Sequence, residues 1–277
     1  MNTPLLVIAK QELLLATRSR WMQIVTTVFA ILSLAVAASS YILSGGRGVQ
    51  DFARTSVSLL QLVTFIVPLA ALVIGVLSIG AERGYAEVLF SQPVSRTTVA
   101  IGQMLGIGLA LVAAEAVGFG AAGLVIFSNA GGEGLGAYVW LWLAAALLTA
   151  IFVSIATFLG VGAVGRKRTR ALALAVVVWF ALVVLFDVFA LGAASLLSSR
   201  HASRLLIIAV ILNPIDAIRT AALLATEGTA AFGPASLAFL RFTRGTIGAG
   251  MMLGFSIVAW IVAPAMAAFS RLRRCDI

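Results

Sequence analysis

Uncharged, mainly apolar stretches recur along the chain at about 21–44, 57–80, 101–128, 138–164, 171–198 and 246–269, and the short segments between them hold most of the charge. A hydrocarbon core ~30 Å thick needs about 20 helical residues at 1.5 Å each, so every stretch is long enough to cross a bilayer. The apolar character is continuous along each one, whereas strands of a membrane barrel would alternate in polarity over about ten residues. The pattern therefore predicts an all-α integral membrane protein with six transmembrane helices. Residues 205–212 are apolar too, but this run is too short for a seventh crossing.

The polar positions predict three further elements. Residues 4–20, PLLVIAKQELLLATRSR, interrupt short apolar runs with Lys10, Glu12 and Arg18. That is the pattern of an amphipathic helix lying on the membrane surface ahead of the first span, not of a cleavable signal peptide. In GAERGYAEVLFSQPVSRTTVAIGQ, 80–103, Glu82, Arg83 and Glu87 rim the apolar Val88, Leu89 and Phe90. A short helix is expected there, ending at Gln92 and Pro93 because the residue before a proline disfavours the α region. The segment 199–245 carries Arg200, His201 and Arg204 and then NPIDAIRTAALLA. Asn213 is placed to cap a helix, Pro214 to occupy its first position and Asp216 to bring negative charge to its first turn. Ile215, Ile218, Ala222 and Leu223 share one face of that helix, which reads as interfacial or re-entrant on the outer side.

Composition agrees with the pattern: 62% of the 277 residues are hydrophobic, 10% are charged and the mean hydropathy is +1.12. The charge of +9 adds an orientation. With the N-terminus inside, Lys10, Arg18, Arg20, Arg83, Arg96, Arg166, Lys167, Arg168, Arg170, Arg271, Arg273 and Arg274 fall in the cytoplasm, and seven of the 19 basic residues fall outside. Both termini are thus expected in the cytoplasm of a bacterial inner membrane. Topology and anionic inner-leaflet lipid account for the charge, and no soluble basic domain remains to bind nucleic acid. One Cys, Cys275, makes no disulfide framework. A lone His201 and scattered methionines argue against a metal site, and nothing resembles an enzyme active site.

GVGAVGRKRTR at 160–170 tests that last point. Gly160, Gly162 and Gly165 spell G-x-G-x-x-G, but they follow a membrane span rather than the strand of a βαβ unit. Arg166 also intervenes where a phosphate-binding loop needs Lys straight after its last glycine. The glycines are read as close helix packing, as are the pairs Gly102/Gly106 and Gly250/Gly254. Within the membrane only two carboxylates stand out, Glu115 in span three and Asp187 in span five, at similar depths just beyond the midplane. Each is expected to turn inward, protonated or hydrogen-bonded. A shared cluster, interhelical glue and substrate contact all stay open.

In order along the chain, IAKQELLLATRSRW, ERGYAEVLFSQPVSRTTVAIGQMLG, WFALVVLFDVFALGA and LNPIDAIRTAALLATEG resemble the permease subunits of type-2 ABC transporters. The last two stretches resemble most the branch that serves nitrous oxide reductase maturation. Gly84-Tyr85-Ala86 departs from the commoner Gly-Thr-Leu, and Gln103 stands where Lys is common. The resemblance covers nearly the whole chain as a single transmembrane domain, 1–277, with an interfacial helix at 1–20, a coupling loop at 81–98 and a periplasmic segment at 199–245. It implies that Glu82, Arg83, Gly84, Glu87, Gln92, Pro93, Val94, Ser95 and Arg96 couple to a separate cytoplasmic ATPase, present in two copies, which binds the ATP and Mg. It further implies a second copy of this chain and a periplasmic β-helical partner facing Asn213, Pro214, Asp216 and Arg219. In this branch the assembly supports copper-site formation on the reductase. Two alternatives stand beside it: a type-2 exporter of a drug, lipid or polysaccharide, and a proton-coupled carrier using Glu115 and Asp187.

Overall fold

A computed structural model of the chain describes residues 4–44, 49–79, 94–130, 132, 134–161, 168–226, 239–240 and 242–274. Among these, every regular element is helical: α1 Pro4–Arg18, α2 Arg20–Ser44, α3 Val49–Ile79, α4 Arg96–Ala130, α5 Leu135–Val161, α6 Arg168–Phe180, a π-helical segment Ala181–Leu185, α7 Phe186–Ser195, α8 Ser199–Leu212, α9 Pro214–Thr226 and α10 Thr246–Arg274. Six stretches are long and apolar enough to cross a membrane: Arg20–Ser39, Arg54–Ile79, Arg96–Ser128, Leu135–Val161, Thr169–Ser195 and Thr246–Arg273. The expected all-α bundle of six spans is therefore the observed one. Span five is composite, built from α6, the π segment and α7. The helices α8 and α9 form a pair bent by 99° at Asn213, between spans five and six.

Span four is the axis of the bundle. α5 packs against α3, α4, α9 and α10, and Leu141, Leu148, Ile151 and Phe152 along it are fully buried. In its most apolar stretch 61% of the residues are buried, against 11% for span five, which lies at the periphery and touches α3 and α8. The end of the bundle bearing the 44–49 and 130–135 connections is called distal below, and the opposite end proximal. At the 130–135 connection Gly134 takes a φ of +87°, and a Cβ there would meet the Phe52 ring at 2.7 Å, so only glycine fits.

α1 is more deeply seated than a surface helix need be. Ile8, Ala9, Glu12 and Ala16 face α4 and are buried, while Leu6, Val7, Leu14 and Leu15 stay exposed. The approach depends on Gly102 and Gly106, where added Cβ atoms would stand 2.7 Å from Ile8 Cγ2 and 2.5 Å from the Ala9 carbonyl oxygen. Gln103, one residue along from Gly102, donates to buried Glu12 Oε1 at 3.2 Å. The other G-x-x-x-G pair behaves differently: nothing lies within 4 Å of a Cβ at Gly250 or Gly254.

Two prolines lie inside helices of the bundle and a third opens one, and in the turn before each a neighbouring helix donates to a backbone carbonyl. Pro68 lies within α3, Pro264 within α10, and Pro214 opens α9 at the elbow. Proline lacks an N–H and opens the preceding turn, so its helix needs outside donors. Trp179 Nε1 donates to the Phe65 carbonyl at 3.0 Å, Ser154 Oγ to that of Ile261 at 2.6 Å and Ser256 Oγ to that of Ile211 at 2.6 Å. Each acceptor stands three residues before its proline.

Candidate functional site

The densest polar constellation among the described residues lies at the elbow between α8 and α9. Pro214 cannot continue the hydrogen-bond ladder, and Asn213 leaves the helix with extended φ and ψ of −95° and 118°. Its Oδ1 accepts the Ile215 N–H at 3.1 Å, the cap expected from the sequence. Its Nδ2 donates twice, to the Leu182 carbonyl at 3.0 Å and to Asp216 Oδ2 at 3.1 Å. The Leu182 carbonyl belongs to the π segment, the wide turn within span five. Asn213 is buried, and both ends of its carboxamide are engaged.

Two carboxyl groups meet here. Asp187, in the first turn of α7, lies within hydrogen-bonding reach of Asp216, in the first turn of α9, while Arg219 stands 3.9 Å from Asp216 Oδ1. The elbow therefore brings two carboxyl groups, one carboxamide and one guanidinium together between α7 and α9.

Of the four positions expected to face a periplasmic partner, only Arg219 is exposed. Asn213 and Pro214 are buried and Asp216 nearly so, turned toward span five. Glu115 and Asp187 do not share a cluster. Glu115 lies buried at the α4–α5 interface, where its Oε1 accepts the Thr149 hydroxyl and its Oε2 has no partner among the described residues. Its carboxyl borders a small cavity of about 10 Å³ lined by Val25, Phe29, Ile66 and Val67.

Of the coupling-loop positions, Glu82, Arg83, Gly84, Glu87, Gln92 and Pro93 lie outside the described residues, and so do residues 162–167 of the glycine-rich stretch. The described end of the loop is anchored. Ser95 Oγ accepts the Thr98 N–H at 3.2 Å and so caps α4, which begins at Arg96. Val94 packs with Ile8 of α1 and Val99. Trp179, Thr149, Ser154 and Ser256 carry interhelical bonds that the sequence reading did not single out. The prolines mark the turns before 68, 214 and 264 as short of a donor, but which carbonyl is served and which span serves it requires the packed bundle.

With this architecture in place, relatedness is informative. Residues 6–277 match the sequence profile of the ABC-2 family transporter proteins. The chain belongs to the ABC-2 transporter family. It is 32% identical over 273 residues to a probable ABC transporter permease, NosY, of Stutzerimonas stutzeri, covering 96% of this chain and 97% of that protein. To the probable NosY permease of Pseudomonas aeruginosa it is 34% identical over 238 residues, 83% of this chain and 86% of the relative. As an ABC-2 permease it is a multi-pass membrane protein. The elbow and the π segment both lie within the matched region.

Proposed function

We propose that this permease couples ATP hydrolysis by a separate cytoplasmic ATPase, bound in two copies to a dimer of the chain, to a periplasmic partner, and so supports copper-site assembly of nitrous oxide reductase. The observation that carries the reading is likeness to NosY permeases across almost the entire length of both chains, the 199–245 segment included. The bundle is compatible with such a role: a peripheral span five links the proximal end to the bent α8–α9 pair through few contacts. In this reading both termini and the 81–98 loop lie on the cytoplasmic side of a bacterial inner membrane. The ATPase, which binds ATP and Mg, docks around Glu82 to Arg96, while the exposed Arg219 face of α9 addresses the partner.

The test is a double substitution, Glu82→Lys with Glu87→Lys, expected to abolish co-purification of the ATPase while leaving membrane insertion intact. A companion variant, Arg219→Glu, is expected to leave ATP turnover unchanged and to weaken capture of the periplasmic protein and copper loading of the reductase. Undiminished ATPase recovery from the first variant, or undiminished capture and copper content in the second, overturns the corresponding half of the proposal.

A further inference from the structure

Three irregularities of the fold are joined to one another by side chains. α3, which runs to Ile79 ahead of the coupling loop, carries Pro68 in its interior. Trp179, on the turn of α6 that leads into the π segment, donates to the Phe65 carbonyl three residues before that proline. Three residues beyond Trp179, Leu182 presents its carbonyl to Asn213 at the elbow. Span five is the least covered of the six spans, and these two hydrogen bonds, with the Asp187–Asp216 contact one turn further on, tie its middle to the rest of the bundle. Sharp bends in helices occur at prolines and π turns, and π turns recur at functional sites. The geometry points to Trp179 and Asn213 as positioning residues of a mechanical relay, in which bending of span two at Pro68 is passed through the π segment of span five to the α8–α9 elbow. The relay rests on the coupling reading above and names the side chains that carry it.

Asn213→Ser is the informative substitution. Serine keeps an oxygen to cap the Ile215 N–H but lacks the amide that reaches Leu182, so α9 retains its start and loses its tether. Trp179→Phe keeps an apolar ring and removes the indole donor. Both are made in a Cys275→Ser background carrying spin labels at Leu124→Cys and Arg219→Cys, positions that are exposed on α4 and α9. The complex of permease and ATPase, in lipid nanodiscs, is measured by pulsed electron paramagnetic resonance with and without ATP and vanadate, alongside ATP turnover and thermal unfolding.

The unsubstituted background is expected to show an ATP-dependent change in the label distance. Each single variant should shift the ATP-state population roughly two- to tenfold, the size of one net hydrogen bond, and the double variant should lose little more than either alone. Additive losses would mean two independent contacts and overturn the relay. So would an ATP-dependent change that survives both substitutions at background size. Should a variant lose ATPase binding or unfold early, Asn213→Gln must restore the ATP-dependent change, and failure of that rescue counts against the relay. No change in the background, with the ATPase still bound, would sink the coupling reading itself, whereas the other results bear on the relay alone.

Discussion

Asp216 is held between Asn213, whose amide donates to it at 3.1 Å, and Arg219, 3.9 Å away, with the Asp187 carboxyl within hydrogen-bonding reach. Asp216→Asn keeps an oxygen for Asn213 to donate to, whereas Asp216→Leu removes that acceptor. Thermal unfolding of the detergent-solubilised permease should be nearly unchanged in the first variant and should show a loss of about 1–3 kcal/mol in the second. Equal unfolding temperatures in the two variants would show that the Asn213 amide does not depend on Asp216.

Helix contacts give a sharper contrast between two motifs that look alike on paper. Gly106→Ala must push α1 off α4, since its Cβ would stand 2.5 Å from the Ala9 carbonyl oxygen, whereas Gly250→Ala adds a methyl where nothing lies within 4 Å. The first should cost about 1–3 kcal/mol and the second nothing, or a gain of up to ~1 kcal/mol from helix propensity. Limited trypsin digestion at Arg18 and Arg20, compared with the unfolding temperature, reads both effects. Equal behaviour of the two variants would mean that α1 is not held through Gly106.

This contrast shows where the sequence was legible. Apolar run length placed all six spans within a few residues, and Asn213-Pro214 marked the start of α9, because those signals are local. The two glycine pairs could not be told apart, nor could Glu115 and Asp187 be assigned to different clusters, because neighbours such as Ala9, Thr149 and Asp216 come from distant parts of the chain. The same limit applies to the inward turn of Asn213: amphipathic spacing identified the buried face through Ile215, Ile218 and Ala222, but said nothing of the Leu182 carbonyl opposite its cap.

Taken together, the bundle has a strongly uneven charge, with twelve of its 19 basic residues assigned to the proximal side by the alternation of six spans. Cys275, the only cysteine, provides a native probe of that assignment. In intact spheroplasts a membrane-impermeant maleimide should leave Cys275 unlabelled until the membrane is permeabilised, whereas Arg200→Cys in a Cys275→Ser background should react at once. Immediate labelling of Cys275 would invert the topology and move the coupling loop to the wrong compartment.

The length of α4 carries one more consequence. Its 35 residues, at 1.5 Å each, extend about 50 Å, well beyond a hydrocarbon core of ~30 Å. The surplus has to be taken up by tilt or by emergence into the headgroups, each at a modest cost per ångström of mismatch. Because α1 is clasped to the proximal part of this helix at Gly102 and Gly106, any change of tilt swings α1 and Val94 with it. Bilayer thickness would thereby act on Val94 and Ser95, and the same permease in shorter- and longer-chain lipids should hold α1 and Val94 at different angles to the membrane.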